Sequence, residues 1–452
     1  MYHPGPQVPR RMYFDSCSAP GGETTFRISA TITSAAKPDQ TSGAILEAIL
    51  DPATGALKSK GAARLFPECV EMHGVASKSD CSMVGALCRR PTRTSETVAS
   101  TKDMVAALPD EGQRSWMTQP GSDALKQKND EEWLYEWGNG DIAGMPATYV
   151  AHKAIGGWAY GRQALLYGQT DDSFGLSLKA TVYGGGTFHE GDAFLVVKRS
   201  DHSIDRSRGW YWGCAAGHTI FNHAAFNPAT SEYGVTCGTD LGTDENNGGG
   251  FAGLWMHTEK GKARGYLSTA IHNSIRLGGG PTSLVPLADG GFLGVFTAAM
   301  GVTTPNVEYL VQGPVSSIGI ARFDRQGAIV GQPKILVDGG SRFLSYPQLA
   351  PLGDGTFLLG YGEMASLATA NTDNDAVRLA TTFKVFEIDA EGKALTPVQT
   401  LTGGAGWGEQ DEMVSLGKGR VGWAYTPNAA REGTKNPACA SNQLALHVYT
   451  RN

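Results

Sequence analysis

The chain has 452 residues, of which 60 are glycine and 18% are charged, with a formal net charge of -6. No basic stripe accompanies that balance, which argues against a nucleic-acid partner, and no apolar run reaches the roughly 18 residues of a membrane-spanning helix. Abundant glycine without long stretches of strong helix formers predicts an all-β chain of short strands and tight turns.

The N-terminus, Met1-Tyr2-His3-Pro4-Gly5-Pro6, lacks a charged segment followed by an apolar one. The expected location is extracellular or periplasmic if a signal peptide has been removed, and cytoplasmic otherwise. The first turn signal is the charged Asp51-Pro52-Ala53-Thr54-Gly55. Residues 91–131 read as a polar insertion with a short helix over Lys102–Leu108. Degenerate turn signals follow at Gly138-Asn139-Gly140, around Ser200-Asp201, and at Thr258-Glu259-Lys260-Gly261.

From residue 285 the pattern is regular. Val285-Pro286-Leu287, Ala350-Pro351-Leu352 and Val414-Ser415-Leu416 each precede a turn: Ala288-Asp289-Gly290, Gly353-Asp354-Gly355 and Gly417-Lys418-Gly419. A second strand follows each turn, and the three copies are 65 and 64 residues apart. Asp-Gly between apolar runs is a strong hairpin signal. The charged turns Asp324–Gly327 and Asp389–Gly392 repeat with the same spacing of 65.

Two landmarks sharing one period divide the chain into seven units of about 65 residues, each with two hairpins, as in a propeller blade. The expected fold is a single seven-bladed β-propeller of four-stranded blades over residues 1–452. The last unit stops after a third strand at Leu444–Thr450. Residues before Met12–Asp15 are expected to supply its fourth strand and close the ring, which removes exposed sheet edges.

In such a propeller the turns within hairpins leave on one face and the connections between hairpins on the other. The second group is long here: the 91–131 insertion, Tyr183–Glu190, Thr239–Gly250, Ala298–Pro314, Met364–Asp375 and Pro427–Ser441. The loop-rich face is therefore the expected working face.

Seven cysteines cannot all pair within one chain, and spacing leaves connectivity open. Cys214–Cys237 and Cys17–Cys439 are plausible bridges within the expected fold, and reduced, buried thiols are the alternative.

Polar residues crowd the strands entered from the loop-rich face. They include Cys69-Val70-Glu71-Met72-His73, His152, Cys214 to His218, His223, His272, Arg276, Arg342, Tyr346 and Trp407-Gly408-Glu409-Gln410-Asp411-Glu412, with His189 in a neighbouring loop. Three chemistries suit them. His73, His152, His218 and His223, with Glu409 or Asp411, form a ligand set for zinc, copper or iron, although no His-Glu-x-x-His motif is present. Proton abstraction beside a carboxylate would use His73, His152, His218 or Tyr346 as base, with Arg342 or Arg276 clamping the carboxylate and Trp407 and Glu409 binding the substrate. A non-enzymatic recognition surface would instead use Trp116, Trp133, Trp137, Trp158, Trp407 and Trp423 as stacking platforms for a polar small molecule or polysaccharide.

With these repeats over the whole chain, the sequence resembles the seven-bladed propeller polysaccharide lyases in architecture. That resemblance implies His, Tyr and Arg at the channel mouth and a carbon–oxygen lyase reaction on an acidic carbohydrate. Two smaller features stand apart. Cys69 to His73 repeats the spacing of Cys214 to His218, and Asp240, Asp244, Glu245 and Asn246 form an acidic loop that offers oxygen ligands for calcium without the spacing of a helix–loop–helix calcium site.

Overall fold

The computed structural model describes residues 12–18, 22–34, 37–51, 53–66, 69, 71–81, 83–91, 130–138, 151–156, 165–169, 173–184, 187–198, 205, 207–211, 222–239, 253–259, 265–266, 275–277, 283–300, 317–364, 382–402, 405–407, 412–425 and 445–451. Among them the chain is all-β, with 28 strands and no helix. It divides into two compact units, Met1–His218 and Thr219–Asn452.

The first unit holds three four-stranded sheets in chain order. Sheet 1 contains β1 (Met12–Ser18), β2 (Thr24–Ser34), β3 (Lys37–Leu50) and β4 (Leu57–Phe66). Sheet 2 contains β5 (Glu71–Ser77), β6 (Met83–Pro91), β7 (Asp130–Gly138) and β8 (Ala151–Gly156). Sheet 3 contains β9 (Leu165–Gln169), β10 (Ser173–Gly184), β11 (Thr187–Lys198) and β12 (Trp210–Tyr211).

The second unit holds four sheets. Sheet 4 contains β13 (Asn222–Asn227), β14 (Glu232–Thr239), β15 (Gly253–Thr258) and β16 (Gly265–Tyr266). In sheet 5, β17 (Ile275–Leu277) and β18 (Ser283–Pro286) both pair with β19 (Phe292–Met300), followed by β20 (Ser317–Phe323) and β21 (Ile329–Asp338). Sheet 6 contains β22 (Phe343–Gly353), β23 (Thr356–Met364), β24 (Thr382–Asp389) and β25 (Gln399–Thr400). Sheet 7 has three strands, β26 (Val414–Gly417), β27 (Arg420–Tyr425) and β28 (Ala445–Thr450). Every pairing is antiparallel, and apart from β17 with β19 each joins neighbours in the chain. The expected N-terminal strand of sheet 7 would come from residues 1–11, outside the described residues.

The predicted turns form for local reasons. Asp354 and Gly355 have φ of +54° and +71°, as do Lys418 and Gly419 at +53° and +72°. Positive φ at both central residues suits the right-handed twist of a two-residue hairpin. In the second hairpins one aspartate organises the turn. Asp324 Oδ1 accepts from the backbone of Gln326 and Ala328, and Asp389 Oδ1 accepts from Glu391 and Lys393. Asp51 does the same for Ala53 and Thr54. The turn signal around Ser200-Asp201 lies outside the described residues; beyond it Asp205 accepts from Ser207, with Gly209 at φ +85°.

Two expectations are corrected. Tyr183–Glu190 is not a long loop, since β10 and β11 run on to pair Gly184 with Thr187, and His189 lies on β11 opposite Val182. Cys17 bonds to Cys81, which overturns the Cys17–Cys439 pairing. A second disulfide joins Cys69 to Cys88. The 91–131 insertion leaves from Pro91 and returns at Asp130, which pair across β6 and β7. Its residues 92–129, including the expected helix, lie outside the described residues.

Glycines let successive sheets close on one another. A Cβ at Gly85 of β6 would come within 2.7 Å of the Phe174 ring of β10, and one at Gly234 of β14 within 2.9 Å of Phe292 of β19. Aromatic rings fill the space a side chain would take, and burying each contributes about 1.5–3 kcal/mol. Between sheets 5 and 6 the core includes Val285, Leu293, Ile318, Leu344, Leu359 and Ile388.

Candidate functional site

In the second unit, hydrogen bonds join β13, β18 and β22 of successive sheets. His223 Nδ1 of β13 accepts the backbone N–H of Leu284 in β18 at 3.1 Å. The Ser283 hydroxyl bridges to Leu349 of β22, whose N–H it accepts at 3.2 Å. An imidazole that accepts at Nδ1 carries the proton of its neutral form on Nε2.

That Nε2 lies 3.2 Å from Oε1 of Glu412, just ahead of β26. Sheet 4 and sheet 7 thus meet through one side-chain pair. His223 is 13% exposed and Glu412 26%, so the carboxylate is the more accessible partner. The backbone N–H at Nδ1 fixes one side of the ring, and the Nε2 side faces Glu412. This carboxylate stood at the end of an acidic run in which Glu409 and Asp411 drew the sequence reading. Nothing local distinguishes the three.

Arg342, immediately before β22, pairs with Glu363 at 2.7 Å, and Lys384 of β24 approaches the same carboxylate at 2.9 Å. Half of the Arg342 side chain remains exposed. Burial, followed by the charge of Glu363, pushes the nearby Tyr361 phenol up to about 12.

Tyr346 occupies a bulge of β22 between Ser345 and Gln348, with φ of +53°. Its carbonyl accepts the indole N–H of Trp407 at 2.7 Å. Trp407 and Trp423 are fully buried and meet edge to face at 5.6 Å. They are core residues, and neither offers a face for stacking on a ligand, which corrects the binding role expected of Trp407.

The other expected residues fall as follows. His73 is 1% exposed and sits at a bulge of β5, between Met72 and Gly74 in the register. His152 lies on β8 opposite Tyr135, and Arg276 on β17 opposite Ala299, with their side chains outside the description. His218, Glu409, Asp240 and Asp244 lie outside the described residues. Among the described residues no three His, Cys, Asp or Glu side chains group as metal ligands. Both ring nitrogens of His223 are already engaged by the protein, a poor starting point for the metal-ligand role expected of it. No described helix is long and apolar enough to cross a membrane.

No protein-family profile and no curated protein matches the chain. Among solved structures, it is similar to a protein of unknown function from Dyadobacter fermentans DSM 18053, with 13% identity over 78% of this chain and 90% of that one and a TM-score of 0.40. It is also similar to an α-L-arabinanase of Penicillium chrysogenum complexed with arabinobiose, with 11% identity, coverage of 85% and 95%, and a TM-score of 0.39. A sialidase of Trypanosoma rangeli in complex with the inhibitor DANA is 9% identical, with coverage of 79% of this chain and 53% of that one and a TM-score of 0.38. At these identities and scores the likenesses carry no functional argument, and the chain's own residues must supply it.

Proposed function

We propose that the second unit binds a polyhydroxylated, carbohydrate-class ligand at the entry ends of its first strands and transfers a proton through Glu412. The observation that carries this reading is the 3.2 Å pair of Glu412 with His223, whose other nitrogen is tied to a backbone amide. A carboxylate paired with an imidazole on one side and partly exposed suits general acid–base work. His223 then orients Glu412 and supports its charge. Arg342 supplies a partly exposed cation that a ligand carboxylate or hydroxyl can share with Glu363.

Under the same proposal the sequence period supports reading the seven sheets as propeller blades, and the two disulfides support an oxidising compartment, extracellular or periplasmic. Lyase chemistry on an acidic glycan is the sharpest form of the reading: Glu412 takes the C5 proton beside a uronate carboxylate, the C4–O glycosidic bond breaks as the C4–C5 double bond forms, and the leaving oxygen takes a proton from solvent.

A panel of neutral and acidic polysaccharides tests it, followed by reducing-sugar release and by the ultraviolet absorbance of unsaturated uronate ends. The expected result is turnover of at least one glycan, reduced roughly 100-fold or more in Glu412→Gln. Reducing ends without the unsaturated product would indicate hydrolysis and overturn the lyase form. Wild-type turnover retained by Glu412→Gln would overturn the assignment of Glu412.

A further inference from the structure

We infer that Trp407 is a positioning residue that holds Glu412 through the bulge of β22, an inference that rests on reading Glu412 as the proton-transfer group. Glu412 is flanked by residues seated on sheet 6. Upstream, the Trp407 indole donates to the Tyr346 carbonyl at 2.7 Å and its ring packs on Phe383 at 4.7 Å. Downstream, the adjacent Met413 packs on Gly360 of β23. A Cβ at Gly360 would meet Met413 Cε and would lie 2.5 Å from the Trp407 ring, so one glycine seats both flanks. A third anchor is the Trp423 indole, which donates to Ala405 at 3.4 Å.

The acceptor is as unusual as the donor. Tyr346 holds a left-handed φ of +53° within a bulge, where it takes no part in the β22–β23 register. A non-glycine residue in that region costs on the order of 1–3 kcal/mol and persists where its surroundings over-determine it. The bulge releases the Tyr346 carbonyl from the ladder, and Trp407 takes it up. A purely apolar role for Trp407 would need neither the bulge nor the indole N–H. Fixing Met413, which packs beside Trp407 against Gly360, limits the positions open to the adjacent Glu412, and His223 lies on its other side. Sub-ångström placement of that kind decides rate, since a misplacement of about 1 Å can cost roughly 100-fold.

Trp407→Phe keeps an aromatic ring at the site and removes the indole donor together with part of the buried ring, so its stability is measured beside the readouts. The readouts are the imidazole nitrogen NMR signals of His223, which need no substrate, and the kcat, KM and pH profile on whichever glycan scores in the panel. The expected result is a changed His223 signal, kcat lower by roughly tenfold to 100-fold with KM within about threefold, and a displaced acidic limb of the profile. Gly360→Ala presses on the same two flanks from sheet 6, is expected to move the same readouts, and carries the test if Trp407→Phe does not fold. Unchanged signals and an unchanged limb in a folded variant would overturn the inference, even with lowered stability. A shifted His223 signal with Glu412→Gln still active would leave the positioning role standing and sink the catalytic reading. Loss of turnover in Glu412→Gln, with His223 and the profile unmoved in Trp407→Phe, would do the reverse.

Discussion

Arg27 donates through Nε to Glu47 at 2.7 Å, with the arginine side chain fully withdrawn from solvent and the glutamate 8% exposed. The same guanidinium reaches the sulfur of Cys17 at 3.1 Å and the hydroxyl of Ser77, tying sheets 1 and 2 together around one buried charge. Breaking a buried pair from one side strands the other charge, at a cost of about 3–5 kcal/mol. Arg27→Met is therefore expected to lower the unfolding midpoint in urea sharply, and Arg27→Met with Glu47→Leu to recover most of the loss. A single variant as stable as wild type would show that the pair contributes little.

The disulfides make a connectivity prediction. Peptide mapping without reduction should return Cys17 linked to Cys81 and Cys69 linked to Cys88. Cys17 and Cys81 are 64 residues apart, so their bridge closes a long loop, and Cys17→Ser with Cys81→Ser should cost about 2–5 kcal/mol. A peptide joining Cys17 to Cys439 would contradict the structure directly.

Two residues of β28 set opposite pH limits. Burial holds His447 below the usual histidine range, where it stacks on Trp423 at 4.4 Å. The unfolded chain takes up that proton near pH 6.5 while the folded chain resists, so stability should fall as pH drops below about 6.5. Burial, then the hydrogen bond to Glu387, pushes the Tyr449 phenol up to about 12. Its contribution is complete below about pH 10 and is lost as pH rises toward 12. Unfolding midpoints measured across pH should show a shallower slope near pH 6 in His447→Phe and a shallower alkaline slope in Tyr449→Phe, the remaining alkaline part including Tyr361. Slopes identical to wild type would refute the assignment.

Gln348 makes the fourth case. It is 2% exposed, and its Oε1 has no hydrogen-bond partner among the described residues. A buried acceptor left unsatisfied costs about 1–3 kcal/mol. Gln348→Met, similar in volume, should therefore match or exceed wild-type thermal stability. A marked drop in melting temperature would mean that the amide makes a stabilising interaction.

Much of the fold was legible because its signals are local. Asp354-Gly355 and Lys418-Gly419 announce hairpins through the positive φ that they adopt, and Asp324 and Asp389 announce turns through the backbone donors they accept. The Cys17–Cys81 bridge also left a trace, because its separation of 64 equals the repeat. The site was less legible. Tyr346, Arg342 and His223 were recognisable as polar residues on first strands, but Trp407 looked like a ligand platform and proved to be core.

Sequence by itself determined the all-β character, the period and the turns, since these depend on backbone preferences and hydrogen bonds within a few residues. Tertiary structure decided which cysteines pair, which tryptophans are buried, and which member of the 409–412 acidic run faces His223. Those outcomes depend on the meeting of side chains far apart in the chain, and no local spacing encodes that distance.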